Sequence, residues 1–374
     1  MRAIINANMV ADKEILEGKV LLFDEKIIDI VDRCPNDAEV IDANGAYVSA
    51  GFIDLHIHGS GGADVMDATP KALEMISSAL VQTGTTAFLA TTMTMSTQNI
   101  LQALENVKTS KKSLAGATVL GVHMEGPFIN VQKHGAQDRA YVQTPTLEWI
   151  EAYIDEIKMI TLAPEVEEAQ TFIKTMQKKY PHVILSIGHS DADYEICKQS
   201  FEWGISHATH LFNAMNPYHH RKPGIVGAVF DSPVTCDIIA DLVHTHPSTL
   251  DLTYRIKKDQ LILITDSMRA GCMKNGIYDL GGQKVEVREG KASLEDGTLA
   301  GSVLKLNDAL KNMILHTSMT LPEAVYSVTG LPAQKLGIKK GALKSGYDAD
   351  IVIFDEDFSI ISTIINGEIR YQRN

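Results

Sequence analysis

The chain has 374 residues, and its 34 Lys and Arg against 47 Asp and Glu give a formal net charge of −13. This acidic balance disfavours general binding to nucleic acid, because the neutralisation of phosphates requires an excess of Lys and Arg. With 45% hydrophobic and 22% charged residues, the composition excludes a disordered chain and favours a globular protein with a large core. A small anion could still be bound in a local cationic pocket.

The sequence shows no stretch of about 18 consecutive apolar residues, which predicts that no segment spans a membrane. The first residues, MRAIINANMV, lack a basic segment followed by a long apolar run, so we expect a cytoplasmic protein. The four cysteines are far apart and form no C-x-x-C pattern, which favours reduced thiols: Cys34, Cys197, Cys236 and Cys272.

Short β-rich runs separated by Gly, Asp and Asn occupy both ends of the chain. They are residues 3–6, 19–23, 27–31 and 40–42 near the start, and 349–354, 360–365 and 368–371 near the end. Asn366-Gly367 is a hairpin-turn signal between the last two runs. The pattern predicts one small β-sandwich domain built from residues 1–50 and 340–374.

In the middle of the chain, apolar runs that suit buried strands alternate with amphipathic helical patterns. The runs are residues 52–58, 85–92, 118–124, 158–163, 183–189, 206–211, 235–241 and 260–266. The helical patterns include 71–82, 168–178, 193–203, 303–316 and 322–328, and a further β segment is expected near 277–294. Eight strands over roughly 250 residues predict an α/β fold, a (β/α)8 TIM-type barrel spanning residues 51–339. A doubly wound open sheet is the alternative, but the run Gly59-Ser60-Gly61-Gly62 lacks the spacing of a phosphate-binding turn.

Histidines and carboxylates stand at or near the ends of five predicted strands, namely His56, His58, Glu125, His189, His210 and Asp266. The carboxyl ends of barrel strands form one mouth, where active sites lie. Histidines two residues apart in a strand face the same side, so His56 and His58 should converge. We therefore expect these six side chains to form one site.

Such a set of residue types is typical of metal-assisted hydrolysis. Three histidines and a carboxylate can hold a divalent cation and leave one position open for water. The ion lowers the pKa of water toward 7, and an Asp nearby can serve as general base and then as general acid. The residues indicate hydrolysis of an amide or ester, although a metal-assisted aldolase or isomerase fits the same parts.

The chain also resembles a known family over nearly its whole length. The segments GFIDLHIHG, HMEGPFIN, GHS, HATHLFNAM, TDSMRAG, DGTLAGS and GALKSGYDADIVIFD resemble the amidohydrolase superfamily. Within it, HLFNAM with MEGPF and DGTLAGS is similar to the family of N-acetylglucosamine-6-phosphate deacetylases. The resemblance implies hydrolysis of that sugar phosphate to glucosamine 6-phosphate and acetate, in amino-sugar catabolism, by a homodimer. The alternatives are another amidohydrolase acting on an N-acyl amino acid or cyclic amide, and a catalytically silent barrel.

The resemblance implies a role for each strand-end residue. Glu125, His189 and His210 match the core metal ligands, and Asp266 matches the catalytic base and acid, placed beside the metal. His56 and His58 match the pair that binds a second ion, with Glu125 as the bridging ligand. Many other amidohydrolases bridge with a carboxylated Lys at the fourth strand end, but here that strand ends Leu162-Ala163-Pro164-Glu165, with no Lys, which favours the Glu-bridged type. We therefore expect one or two divalent ions, which the sequence leaves open as Zn, Fe, Mn or Co.

The same resemblance implies the substrate contacts, which are Ala136, Gln137, Asn213, Ala214, Arg221, His244, Leu299, Ala300 and Gly301. Arg221 and His244 would bind the 6-phosphate, since a guanidinium suits bidentate phosphate binding. Position 137 departs from the pattern, because several relatives have a His there. Gln137 can donate a hydrogen bond but cannot be a cationic electrophile, so a second ion would carry more of the oxyanion stabilisation.

Overall fold

An eight-stranded parallel sheet forms the centre of the computed structural model, which describes residues 1–11 and 13–373. Its strands in chain order are β1 (Phe52–Ile57), β2 (Thr85–Thr92), β3 (Thr118–Glu125), β4 (Ile157–Leu162), β5 (Ile184–Ile187), β6 (His207–Ala208), β7 (Thr235–Ile239) and β8 (Leu261–Ile264). Neighbours in this order pair in parallel, and Ile57 bridges Ser267 beyond β8, which brings the two edges together. The predicted (β/α)8 barrel is confirmed.

Helices surround the barrel: α1 (Pro70–Leu80), α2 (Thr97–Ser110), α3 (Ala169–Lys179), α4 (Tyr194–Trp203), α5 (Gly224–Phe230), α6 (Pro247–Lys257), α7 (Leu306–His316), α8 (Leu321–Val328) and α9 (Gly330–Leu336). Their starts follow from local chemistry, as at α1, where Thr69 accepts a hydrogen bond from Ala72 N and Pro70 is the first helical residue. Leu73, Ile76 and Leu80 then face the barrel core. Short 3₁₀ turns lie at Val65–Asp67, Val81–Thr83, Val131–Lys133, Arg139–Tyr141, Glu151–Tyr153 and Lys258–Gln260.

A three-stranded antiparallel sheet is inserted between β8 and α7, where the sequence predicts a β segment. Its strands are Gly276–Leu280, Gln283–Arg288 and Lys291–Ser293. Gln283 Nε2 donates to Ala136 O at 2.6 Å, and Arg269 Nη2 lies 2.9 Å from Asp67 Oδ1. These contacts tie the inserted sheet and its approach to the loops after β3 and β1, so it borders the barrel mouth.

The two ends of the chain form two further sheets. One contains Ile27–Val31, Val20–Phe23, Arg2–Ile5 and Glu39–Asp42; the other contains Glu368–Gln372, Ile360–Ile365, Ile351–Phe354, Tyr47–Ala50, Asn8–Ala11 and Glu14–Leu16. Alternating side chains of one strand serve two cores, because Ile351 and Ile353 pack between the sheets while Val352 and Phe354 join the barrel core. The predicted β-sandwich of both termini is therefore present.

A two-stranded ladder of Gly59–Ser60 and Ala63–Asp64 lies just after β1. Over the described part of the chain, no helix is both long enough and apolar enough to cross a membrane.

Candidate active site

The six predicted strand-end residues meet at the barrel mouth. Five of them are at most 5% exposed, and Asp266 is 9% exposed. His189, His210 and Asp266 have φ values of 48°, 33° and 50°, a left-handed conformation that non-glycine residues seldom adopt. The chain turns sharply there as each strand ends, which aims the three side chains into the mouth.

His56, His58 and Asp266 form the first of two groups. The Nε2 atoms of His56 and His58 are 3.2 Å apart. Asp266 Oδ1 lies 3.4 Å from His56 Nε2 and 3.3 Å from His58 Nε2. The potential ligand atoms of this group lie within 4.8 Å of one another.

Glu125, His189 and His210 form the second group, which is equally compact. Glu125 Oε1 lies 3.0 Å from His189 Nε2 and 2.9 Å from His210 Nε2. The other oxygen, Oε2, lies 3.2 Å from His58 Nε2. The Glu125 carboxylate therefore stands between the two groups and faces both.

The electrostatics of the cluster favour a cation between its carboxylates. Burial opposes ionisation of Glu125, but His56 and His189 hold the pKa of Glu125 well below its usual range. Burial also opposes ionisation of Asp266, but His56 and His58 lower the pKa of Asp266 to about 2. Burial disfavours protonation of His58, yet Asp266 and Glu125 raise its pKa well above the ordinary value. Both carboxylates are thus ionised at neutral pH.

These residues fit a divalent metal by their donor set. Four imidazole Nε2 atoms and two carboxylates converge, and the pairs His56–His58 and His189–His210 bring Nε2 atoms to 3.2 and 3.1 Å. One ring nitrogen can satisfy another only if one of them carries a proton, whereas a cation accepts all of them as ligands. His/carboxylate sites of this type suit Zn and other transition ions.

Gln137, predicted as a substrate contact, also contacts the cluster. Its Nε2 donates to Glu125 Oε2 at 2.6 Å, and its Oε1 accepts from the backbone N–H of Thr94 at 2.7 Å. The loop after β3 thus reaches one of the predicted ligands, a contact that the sequence does not reveal.

A cavity of about 260 Å³ opens above the cluster. Its lining includes seven of the predicted substrate contacts, namely Ala136, Gln137, Asn213, Ala214, His244, Leu299 and Gly301. Ala300 is fully buried behind this wall. Met93 and Leu280 also line the cavity, which no sequence motif indicates. His244 is held by Asp241, whose Oδ2 lies 2.7 Å from His244 Nδ1.

Arg221 lies apart from this cavity in the structure. It is exposed on the loop before α5, where its Nη1 lies 2.7 Å from His220 Nε2. It lines a separate, wider groove of about 940 Å³ together with Tyr194, Asn216 and His219. Within one chain the structure therefore does not bring Arg221 and His244 to a common pocket.

A layer of buried polar residues supports the cluster from below. Asp54 accepts hydrogen bonds from Thr265 Oγ1 at 2.6 Å and His56 N at 3.1 Å, and burial raises the pKa of Asp54 to about 7. Asp237 accepts from the backbone N–H of His210, and its Oδ2 lies 2.9 Å from His207 Nε2. The sequence pattern does not single out Asp54 and Asp237, but an Asp inside a strand as apolar as β7 is itself a signal of a buried polar role.

Comparison of the sequence with known proteins points to a single family. The profile of the Amidohydrolase family matches residues 47–370. N-acetylglucosamine-6-phosphate deacetylase of Bacillus subtilis is 40% identical over 97% of this chain and 95% of its own length. The human protein of the same name is 31% identical over 96% of this chain and 90% of its own length.

Solved structures that superpose well on this chain belong to the same family. N-acetylglucosamine-6-phosphate deacetylase from Pasteurella multocida superposes with a TM-score of 0.94 at 32% identity, covering 98% of this chain and 99% of that one. A mutant of N-acetyl-D-glucosamine-6-phosphate deacetylase from Mycobacterium smegmatis, in complex with N-acetyl-D-glucosamine-6-phosphate, gives a TM-score of 0.93 at 26% identity over 99% of both chains. A β-aspartyl dipeptidase from Fervidobacterium islandicum gives only 0.66 at 19% identity, over 100% of this chain and 98% of that one, a likeness of fold alone.

Proposed function

Because the chain belongs to the amidohydrolase family, and within it to the N-acetylglucosamine-6-phosphate deacetylases, we propose that it hydrolyses N-acetylglucosamine 6-phosphate to glucosamine 6-phosphate and acetate. The observation that carries the proposal is the position of Asp266. Its Oδ1 lies within 3.4 Å of two histidine Nε2 atoms, at the floor of a cavity lined by the predicted sugar contacts.

One or two divalent ions would be held by Glu125, His189 and His210 and by His56, His58 and Asp266. When bound, such an ion supplies Lewis acidity that activates water at neutral pH and polarises the amide carbonyl. The identity of the ion is left open among Zn, Fe, Mn and Co, because this donor set accepts all four.

Asp266 would move the proton. A carboxylate ionised at neutral pH can accept a proton from the attacking water as the new C–O bond forms. The same proton then passes to the amide nitrogen, so that the C–N bond breaks and the amine leaves together with acetate. One carboxylate thereby serves as base and then as acid, with no net change in its own protonation.

The substrate-binding roles follow the cavity lining. His244, held by Asp241, would contact the 6-phosphate, and Asn213 with the backbone of Ala214 would contact the phosphate or sugar. Gln137, Ala136 and the 299–301 stretch would surround the acetamide and sugar. Arg221 would reach a phosphate only from its exposed loop, which suggests that it serves the site of a second copy.

We also propose a homodimer in the cytoplasm. The exposed apolar side chains Tyr218 and Val243 lie on the loops that carry Arg221 and His244, which favours contact with another copy there. The four cysteines are free thiols, consistent with a reducing compartment. Light scattering of the purified protein tests the dimer, and a mass of one chain would contradict it.

We propose, finally, that the chain divides into residues 1–50 with 340–374 and residues 51–339. Separate apolar clusters support the division, since Ile4, Phe23, Val48 and Ile351 pack together apart from the barrel core.

The reaction is tested with a substrate panel. The metal-loaded protein is incubated with N-acetylglucosamine 6-phosphate, N-acetylglucosamine and N-acetyl amino acids, and released acetate is measured. We expect release from the phosphorylated sugar far above that from the others. Equal or greater release from an N-acetyl amino acid would favour another amidohydrolase activity instead.

A further inference from the structure

Gln137 holds the Glu125 carboxylate with an amide whose orientation the fold decides. The backbone N–H of Thr94 can only donate, so the Gln137 atom 2.7 Å from it must be the carbonyl oxygen Oε1. The amide NH₂ consequently faces Glu125, where Nε2 donates to Oε2 at 2.6 Å. A flipped amide would place two donors together at Thr94 and two acceptors together at Glu125.

The turn that carries Gln137 is itself fixed. Gln137 N donates to His134 O at 2.9 Å, and His134 Nδ1 lies 2.9 Å from Gln137 O. Gln137 is 5% exposed, and both polar atoms of its amide are paired within the protein. The hydrogen bond to Glu125 therefore comes from a rigid, preorganised group.

The two oxygens of Glu125 have different surroundings. Oε1 lies 3.0 Å from His189 Nε2 and 2.9 Å from His210 Nε2, and His56 Nε2 is farther from it at 3.5 Å. Oε2 lies 3.2 Å from His58 Nε2 and accepts the hydrogen bond from Gln137. Rotation about the terminal bond of a Glu side chain is only weakly restricted. The side chain alone therefore does not decide which carboxylate oxygen faces which group of ligands. Each oxygen has two lone pairs, and one donor on Oε2 leaves the second pair free to face His58.

We propose that Gln137 is a positioning residue, which fixes the rotation of Glu125 so that one oxygen serves each ligand group. Oε1 is assigned to the group of His189 and His210, and Oε2, through its 3.2 Å contact with His58 Nε2, to the group of His56, His58 and Asp266. This inference rests on the metal-dependent function proposed above and deepens it. It makes the binding of a second ion beside the first depend on Gln137, an uncharged residue that is not itself a ligand.

The test measures metal binding without substrate. The full-length protein is stripped with a chelator and titrated with Co²⁺ alone, followed by equilibrium dialysis and by the visible absorption of bound Co²⁺. For Gln137→Met and Gln137→Asn, we expect the weaker of the two binding constants to fall about 10- to 100-fold, as for other residues that orient metal ligands. The visible absorption of the more weakly bound Co²⁺ should change as well. The binding constant and the absorption of the more tightly bound Co²⁺ should change little.

Two variants and a control separate positioning from general damage. Gln137→Asn retains an amide too short to span both partners, and thermal unfolding of each metal-free variant shows whether it is folded. Gln143→Met is the matched control, since Gln143 lies in the same loop and donates to Thr97 Oγ1 at 3.1 Å, away from the ligands. It should bind Co²⁺ as the parent does.

The inference is overturned if both Gln137 variants bind two equivalents with parental constants, or if the parent binds one equivalent only. Its failure is distinct from failure of the proposed function. A loaded parent protein that releases no acetate from N-acetylglucosamine 6-phosphate would contradict the reaction whatever the titration shows.

Discussion

The Asp237 carboxylate holds the backbone of His210 in place, because it accepts a hydrogen bond from the His210 N–H at the point where β6 ends. His210 has a φ of 33°, which costs on the order of 1–3 kcal/mol for a non-glycine residue unless its surroundings enforce it. The second oxygen of Asp237 is occupied by His207, 2.9 Å away. A fully buried acid thus maintains the conformation that aims a predicted ligand into the mouth.

Asp237→Leu removes this support at similar volume. We expect metal affinity to fall about 10- to 100-fold, because an orienting partner of a ligand is lost. Dialysis against Co²⁺ or Zn²⁺ measures the change. Thr235→Val is the control, since it removes the other partner of His207, Thr235 Oγ1 at 2.7 Å, without touching His210. Equal losses in both variants would show that His207, not His210, is responsible.

Asp266→Asn tests the proton-transfer role. We expect kcat to fall about 10²- to 10⁴-fold, because the amide cannot accept a proton from water. Acetate release and metal content are measured on the same preparation. Asp37→Asn, at an exposed turn of the terminal sheets and away from the mouth, should be unaffected. A kcat near the parental value in Asp266→Asn would exclude this residue as the base.

His244→Ala tests the phosphate contact. We expect KM for N-acetylglucosamine 6-phosphate to rise about 10- to 100-fold, the usual size of a hydrogen bond to a charged group, with a smaller change in kcat. His246→Ala is the matched control, because His246 caps α6 by accepting from Ser248 N and does not line the cavity. If His246→Ala raises KM as much, the phosphate does not bind through His244.

Arg221→Ala separates phosphate recognition from sugar recognition. We expect KM for the phosphorylated sugar to rise about tenfold or more, through loss of a charged hydrogen bond, with little change for N-acetylglucosamine. Lys222→Ala, the next residue of the same loop, is the control. Parallel changes for the phosphorylated and unphosphorylated sugars would contradict a phosphate role for Arg221.

Lys335 gives a pH dependence of stability. It lies below β6, where Nζ donates to Ser206 O at 2.7 Å, and burial lowers the pKa of Lys335 to about 8. Above that pH the unfolded chain binds more protons than the folded one, so stability should rise with pH between about 8 and 10.5. Below pH 8 the cost of burying the charge is present in full.

Lys335→Met should therefore stabilise the protein at pH 7 by about 2 kcal/mol, and the advantage should shrink as pH approaches 10. Thermal unfolding of the parent and variant across pH 7–10 measures the difference. The exposed Lys339→Met is the control and should follow the parent. A constant difference at every pH would exclude the titration of Lys335 as the cause.

The sequence predicts the barrel because each of its strands is buried on both faces and therefore appears in the sequence as a continuous apolar run. Its ends are less well predicted, as in the sixth strand, expected at 206–211 but limited to His207–Ala208. Ladder pairing stops there because the chain turns at His210 and Phe212, both with positive φ. Such a turn depends on partners such as Asp237, which lie far away in the sequence.

The candidate site shows the same division. Motif spacing predicts that six side chains converge, because strand ends share one face of a barrel. They are His56, His58, Glu125, His189, His210 and Asp266. Motif spacing does not predict that Gln137 reaches Glu125 or that Arg221 lies outside the cavity. Those placements depend on loop conformations set by individual hydrogen bonds, such as that from Thr94 to Gln137.

The pairing of Tyr47–Ala50 with Ile351–Phe354 has a consequence for biosynthesis. The first strands leave the ribosome long before the last ones, so Val48 and Ala50 stay without their partners Ile353 and Ile351 until the barrel segment has been made. A copy that lacks the last strands would retain the entire predicted ligand set yet expose this apolar surface. The split sandwich thus makes the burial of this apolar surface depend on a finished chain.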